Sequence, residues 1–197
     1  MANEVELKYA PPKGFSSDNL FSSPEIAPFL GEISEITMKT EYLDTAYNDA
    51  KSRGISLRRR YENGKSLIYA KTSRLTSGEL TVRGEWSVAS DDIKNAAALL
   101  FEAGAPTSEL VGLPLEVFGK VSFLRKEALL TLPEFSAMLS FDEGTFGEST
   151  PFSEIELELK EGEADDLLRF GRVLSEKYGL VPETLSKHAR AIKHFVK

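Results

Sequence analysis

Residues 154–160 read Glu-Ile-Glu-Leu-Glu-Leu-Lys, a period-two alternation that puts ionised side chains on one face of an extended chain and aliphatic ones on the other. The pattern recurs. Glu4, Glu6 and Lys8 oppose Val5, Leu7 and Tyr9; Arg58 and Arg60 oppose Leu57 and Tyr61. Arg83 and Glu85 oppose Val82, Trp86 and Val88, and Asp142 follows Met138 and Ser140 against Leu139 and Phe141. Charged residues are poor strand formers, and like charges on neighbouring strands repel. Taken singly, each strand reads as the wet face of an ordinary antiparallel sheet. Taken together, they need a common means of compensation. Closing the sheet into a barrel with its apolar face outward, under helices, lines the bore with these charges. Eight strands enclose room for one small ligand.

The remaining pattern fits this architecture. Extended segments are predicted near Ile36–Thr45, Ile55–Tyr61, Ser66–Thr72, Leu80–Val88, Lys120–Thr131, Ser136–Asp142 and Phe152–Lys160. Asn63-Gly64 marks a tight hairpin and Ser77-Gly78 a further turn. Helical spacing predicts a helix capped by Ser90 and running to Gly104, a shorter one over Thr107–Phe118, another over Ala164–Tyr178, and a last one over Glu183–Phe195. Ser23-Pro24 offers a short helix start. The class is α+β, a closed eight-stranded antiparallel barrel with surrounding helices, as one domain over 1–197.

Charge and composition narrow the chemistry. A net charge of -7 over 197 residues disfavours an outer surface that grips nucleic acid, while leaving an internal basic cavity open. Without a bilayer-length apolar run or a basic-then-apolar leader, the expectation is a cytoplasmic protein with no membrane partner, as monomer or homodimer. The chain has no cysteine and two histidines, so thiolate sites and imidazole-rich metal sites are poorly supplied. His188 and His194 read as a solvated helix face, and Trp86 as core beneath a helix. Any metal is held by oxygen, which favours magnesium or manganese.

The inward parity gathers carboxylates (Glu4, Glu6, Glu85, Asp142, Glu154, Glu156, Glu158) and cations (Lys8, Arg58, Arg60, Lys71, Arg83, Arg125), joined by Lys187 and Arg190 near the end of the chain. Guanidinium forks match phosphate oxygens, and carboxylates hold hard divalent ions that bridge phosphates. A ligand satisfying both sets is a polyphosphate arriving with its metal. No Gly-rich loop opens a helix in the phosphate-loop pattern. The inward strand residues present no clear aromatic platform for a heterocycle.

In order along the chain, Glu4-Val-Glu6-Leu-Lys8, Tyr42-Leu43-Asp44-Thr45, Leu57-Arg58-Arg59-Arg60, Lys71, Arg83-Gly84-Glu85, Arg125, Asp142, Glu154-Ile155-Glu156-Leu157-Glu158 and Leu185-Ser186-Lys187 with Arg190 resemble the motifs of the CYTH superfamily, the triphosphate tunnel metalloenzymes. One position departs: Ser87 stands where many members carry a further Glu. The closing acidic strand, Leu185–Lys187 and the Glu62-Asn63-Gly64 hairpin are most similar to the bacterial inorganic triphosphatases. The resemblance implies a triphosphate clamped by Lys8, Arg58, Arg60, Lys71, Arg83, Arg125, Lys187 and Arg190. It implies one or two Mg2+ or Mn2+ ions held among Glu4, Glu6, Asp142, Glu154, Glu156, Glu158 and Glu85. Glu4, Glu6, Lys8 and Lys187 take the catalytic roles in that scheme. Hydrolysis of inorganic triphosphate ranks first, followed by thiamine-triphosphatase or another organic triphosphatase, class IV adenylyl cyclase, and a non-catalytic polyphosphate-binding module.

Overall fold

The computed structural model describes residues 2–72, 75–77 and 80–195. The alternating segments are strands. In chain order the elements are β1 (Ala2–Ala10), α1 (Ser17–Phe21), β2 (Ser34–Asp44), α2 (Asp49–Ser52), β3 (Ile55–Glu62), β4 (Lys65–Thr72), β5 (Leu75–Ser77) and β6 (Leu80–Ala89). There follow α3 (Ala96–Glu102), β7 (Glu116–Thr131), β8 (Phe135–Phe146), β9 (Thr150–Gly162), α4 (Ala164–Tyr178), β10 (Val181–Pro182) and α5 (Lys187–Phe195). Strands β1, β9, β8, β7, β2, β3, β4 and β6 lie side by side in that order, and β1 pairs again with β6 to close the ring. The pairings are antiparallel. Short β5 and β10 extend the sheet beside β6 and β1.

The barrel is inverted, with its oily faces outward. On one flank Leu7, Leu139, Phe141, Ile155 and Leu157 pack with Leu167 and Leu174 of α4. Each such side chain, fully withdrawn from water, contributes about 1.5–3 kcal/mol. On the other flank Leu57, Ile68 and Ala70 pack with Ala96, Ala97 and Leu100 of α3, and Trp86 joins that cluster from β6, as its outward parity predicts. Between Asn63 and Gly64 the chain turns with φ of 47° and 78°, the left-handed pair that a two-residue hairpin requires.

Several boundaries differ from the sequence expectation. Over Thr107–Phe118 there is only a single 3-10 turn at Ser108–Leu110, and from Glu116 the chain is already β7. Gly112 and Pro114 break the helical period there. The helix after β6 is capped by Asp92, whose side chain accepts from Lys94 and Asn95 N–H, and not by Ser90. The last helix starts at Lys187 and not at Glu183, because Val181 and Pro182 pair with Ala10 and Tyr9 as strand. Near Ser23-Pro24 the helices fall on either side, at Ser17–Phe21 and, as a 3-10 turn, at Ala27–Phe29. The Ser77-Gly78 turn lies outside the described residues.

Candidate active site

The barrel encloses a cavity of about 720 Å³, and the charged parity of the strands lines it. Register explains how residues far apart in sequence meet there. Arg125 of β7 pairs with Asp142 of β8, which pairs with Glu154 of β9, so three ionisable side chains form one row across three strands. Lys8 of β1 lies opposite Glu156, and Glu4 lies opposite Arg83.

Helix α5 enters this interior from the end of the chain. Gly119 of β7 makes room for it: a Cβ at that position would lie 3.2 Å from the Ala191 Cβ. Ala191 packs with Met38, Tyr42, Val121, Phe123 and Phe146, an apolar plug on the inner face. Seated there, α5 carries Lys187 and Arg190 into the carboxylate row. The Lys187 Nζ lies 2.8 Å from Asp142 Oδ2 and 2.9 Å from Glu156 Oε1, and it also contacts Glu154. Arg190 pairs with Glu154 and, at 3.3 Å, with Glu183. Arg125 grips Asp142 through two bonds of 2.7 and 2.8 Å and reaches Glu156 at 2.5 Å. Asp142 and Glu154 have no solvent exposure.

A second ion-pair group occupies the β1, β4 and β6 side. The Lys71 ammonium donates to both Glu4 oxygens at 2.9 and 3.0 Å and meets Glu85 at 2.5 Å. Arg83 bridges Glu4 at 2.7 Å and Glu6 at 2.9 Å. Lys8 sits 3.4 Å from Glu6. Glu158 lines the cavity and pairs with Lys160 at 2.6 Å.

The third wall is different. Arg58 and Arg60 of β3 are 9% and 8% exposed, yet Arg58 reaches one carboxylate, Glu85, at 3.7 Å, and its buried Nε has no partner. Among the described residues Arg60 has no carboxylate partner, and its Nε donates to Thr40 Oγ1 at 3.3 Å. The Tyr69 ring faces both guanidiniums, at 4.6 and 5.6 Å, and offsets part of their burial.

Protonation follows these surroundings. Burial, reinforced by Arg58 and Arg125, pushes the Arg60 guanidinium down to about 10. Burial, with Arg58 and Arg83 beside it, brings the Lys71 ammonium down to about 8 against the pull of Glu4 and Glu85. Burial alone would raise the Glu4 and Glu156 carboxyls, but their cations overcome it and hold both well below the usual carboxylate range. Glu154 goes the other way: burial and the neighbouring Glu156 raise it despite Lys187. For Lys187, burial opposes the charge, and Asp142, Glu154 and Glu156 more than restore it. This lysine is an ammonium.

The candidate site residues line this cavity except Asp142, Glu154 and Arg190, which lie behind it and join it through Arg125, Glu156 and Lys187, and not all the proposed metal ligands form one cluster. Among the described residues Asp142, Glu154 and Glu156 are the group whose ligand oxygens lie within 4.8 Å of one another. Three hard oxygen donors suit a divalent cation such as Mg2+ or Mn2+, and the Lys187 ammonium already stands among them as a cation. Glu4, Glu6 and Glu85 are engaged instead by Lys71 and Arg83.

Two sequence expectations need correction. His188 is not on a solvated face: it lines the cavity and packs in a tilted arrangement against Tyr42, with ring centroids 4.8 Å apart. Burial, helped by Lys51 and Arg58, lowers it to about 4 despite Asp44, so it is neutral at pH 7. His194 is exposed, although its ring lies 5.8 Å from that of Phe146. The interior is also richer in aromatic rings than the charges suggest. Phe123 lies 5.5 Å from Lys187 and 5.8 Å from the Arg125 guanidinium, and Phe152 lies 5.9 Å from Lys187. The signal was present in the parity: Tyr69 with Lys71, Phe123 with Arg125, and Phe152 with Glu154.

The fold has solved counterparts. A candidate adenylyl cyclase from Hippeastrum with a dominant triphosphatase activity superposes with a TM-score of 0.69 at 21% identity, over 98% of this chain and 97% of that one. A candidate adenylate cyclase from Bacillus halodurans gives 0.58 at 17% identity over 100% of both chains. A protein from Pyrococcus horikoshii OT3 gives 0.58 at 18% identity, over 97% and 99%. At these identities the likeness establishes the barrel. The CYTH domain family matches residues 2–192. With that match over the charged barrel just described, the chain belongs to the CYTH family.

Proposed function

We propose that this protein hydrolyses inorganic triphosphate to pyrophosphate and phosphate inside the barrel, with Mg2+ or Mn2+. The observation that carries the reading is a carboxylate trio that reaches the cavity through Glu156, together with two buried guanidiniums on the same cavity that lack sufficient counter-charge. The trio suits a divalent ion, and Arg58 and Arg60 suit an anion. A polyphosphate spans both.

In this scheme Arg58, Arg60, Lys71, Arg83 and Arg125 bind phosphate oxygens. Lys8, beside Glu6, places charge on the leaving pyrophosphate. Asp142, Glu154 and Glu156 would hold the divalent ion, and a bound ion would supply charge neutralisation and water activation there. A water molecule attacks the terminal phosphorus in line as the bridging P–O bond breaks, and a carboxylate of the interior accepts its proton. Withdrawal from bulk solvent strengthens each of these contacts.

Tyr42 and His188 favour a second reading. A neutral imidazole packed at a tilt against a phenol at the cavity wall offers an aromatic surface for an organic triphosphate, such as thiamine triphosphate or a nucleotide. Phosphate release from tripolyphosphate, ATP and thiamine triphosphate, with each metal, tests both. A kcat/KM for tripolyphosphate at least tenfold above the others supports the first reading. Preference for an organic substrate, or formation of cyclic AMP, replaces it, and binding without turnover makes the protein a polyphosphate-binding module.

A further inference from the structure

Lys187 stands where a divalent ion would stand. Its Nζ contacts all three carboxylates of the trio, two of them at 2.8 and 2.9 Å. Asp142 and Glu154 have no solvent exposure behind it, whereas Glu156 and Lys187 itself line the cavity. The Phe123 and Phe152 rings, 5.5 and 5.9 Å away, hold the ammonium from the side. An ammonium and a divalent ion sharing the same oxygens would repel strongly in this buried setting. One must leave for the other to enter.

Lys187 is also the first residue of α5, so its side chain can swing while the helix stays seated. Ala191 sits in the apolar plug and Arg190 pairs with Glu154 and Glu183, contacts that anchor the helix independently of the Lys187 side chain. What the displaced ammonium needs is a new anion, since an unpaired buried charge is costly. A free metal ion brings none. A metal already chelated by triphosphate brings several.

We propose that Lys187 is the built-in counter-ion of the carboxylate trio and selects the metal–triphosphate chelate over the free metal. This rests on the metal-dependent reading above and adds to it a specificity-determining role for one side chain. The lysine competes with free ion and becomes a phosphate ligand once the chelate has entered.

Manganese binding without any phosphate ligand tests the proposal, read from the loss of the free-ion EPR signal. Lys187→Met is expected to bind Mn2+ at least tenfold more tightly than wild type, and Lys187→Arg to bind it as weakly as wild type. Equal or weaker binding by Lys187→Met overturns the proposal while leaving the metal site intact. Absence of binding in every protein overturns the metal reading, and this proposal with it. A second measurement needs no variant. Amine-selective labelling of Lys187 in wild type, read by mass spectrometry, should rise several-fold at Mn2+ concentrations where the ion is bound. Labelling that stays constant or falls contradicts the exchange, even if Lys187→Met fails to fold.

Discussion

The β3 wall of the cavity and the wall formed by β9, with β8 behind it, are built on opposite principles. On β8 and β9 each carboxylate is matched: Asp142, Glu154 and Glu156 share Lys187, with Arg125 and Arg190 closing the remaining bonds. On β3, across the ring in strand order, Arg58 and Arg60 are buried with a deficit of anions. The matched wall is satisfied as it stands, and on the proposed reading it opens to take a metal ion. The unmatched wall stores an unsatisfied demand that an incoming anion can meet. On the proposed reading, the contrast would let a protein of net charge -7 attract a polyanion through a local, internal field that the overall charge does not decide.

The largest effect should separate the walls by function. Glu156→Gln is expected to lower kcat for tripolyphosphate roughly 10³-fold and to weaken Mn2+ binding. Arg60→Ala should leave Mn2+ binding unchanged and raise KM by roughly 10–100-fold. Steady-state phosphate release beside Mn2+ titration reads both, and loss of metal binding in Arg60→Ala would erase the distinction.

The next effect is in stability, where the walls should differ in sign. Asp142→Asn strips a partner from Arg125 and Lys187 and should destabilise the protein by about 3 kcal/mol, the usual cost of breaking a buried pair. Arg60→Met removes a buried charge with no partner carboxylate among the described residues and should stabilise the ligand-free protein by about 1 kcal/mol. Urea unfolding of both variants makes the comparison, and destabilisation by Arg60→Met would mean that its charge is already compensated.

A smaller effect concerns acid. His188 lies within reach of the Arg58 charge and titrates near 4 in the folded protein, against 6.5 for an ordinary histidine. As pH falls the unfolded chain therefore takes up the proton first. The stability this carries is fully present above about pH 6.5 and is lost as pH falls towards 4, on the order of 2–3 kcal/mol. His188→Phe should flatten that part of the stability–pH curve. An unchanged slope would mean that the imidazole is not buried beside the cations.

Strand alternation made the inverted barrel and its charged lining readable from the residues alone, because parity in a strand decides face without knowledge of the partner strand. Pairings such as Lys71 with Glu4, or Lys187 with the trio, were not readable, since register and the insertion of α5 are tertiary facts. Thr107–Phe118 was misread because Leu110, Leu113 and Val117 fall at helical spacing, yet they pack as turn and strand under α3. His188 was misread for a related reason. On an isolated helix its position resembles a wet face, and only the seating of Ala191 against Gly119 turns that face inward.

A crystal structure with Mn2+ and a slowly hydrolysed triphosphate analogue tests the two-walled cavity most directly. The prediction is an anomalous manganese peak bounded by Asp142, Glu154 and Glu156, with phosphate oxygens on Arg58 and Arg60. Manganese and phosphate bound outside the barrel, with the trio still closed on Lys187 and the two arginines bare, would contradict it.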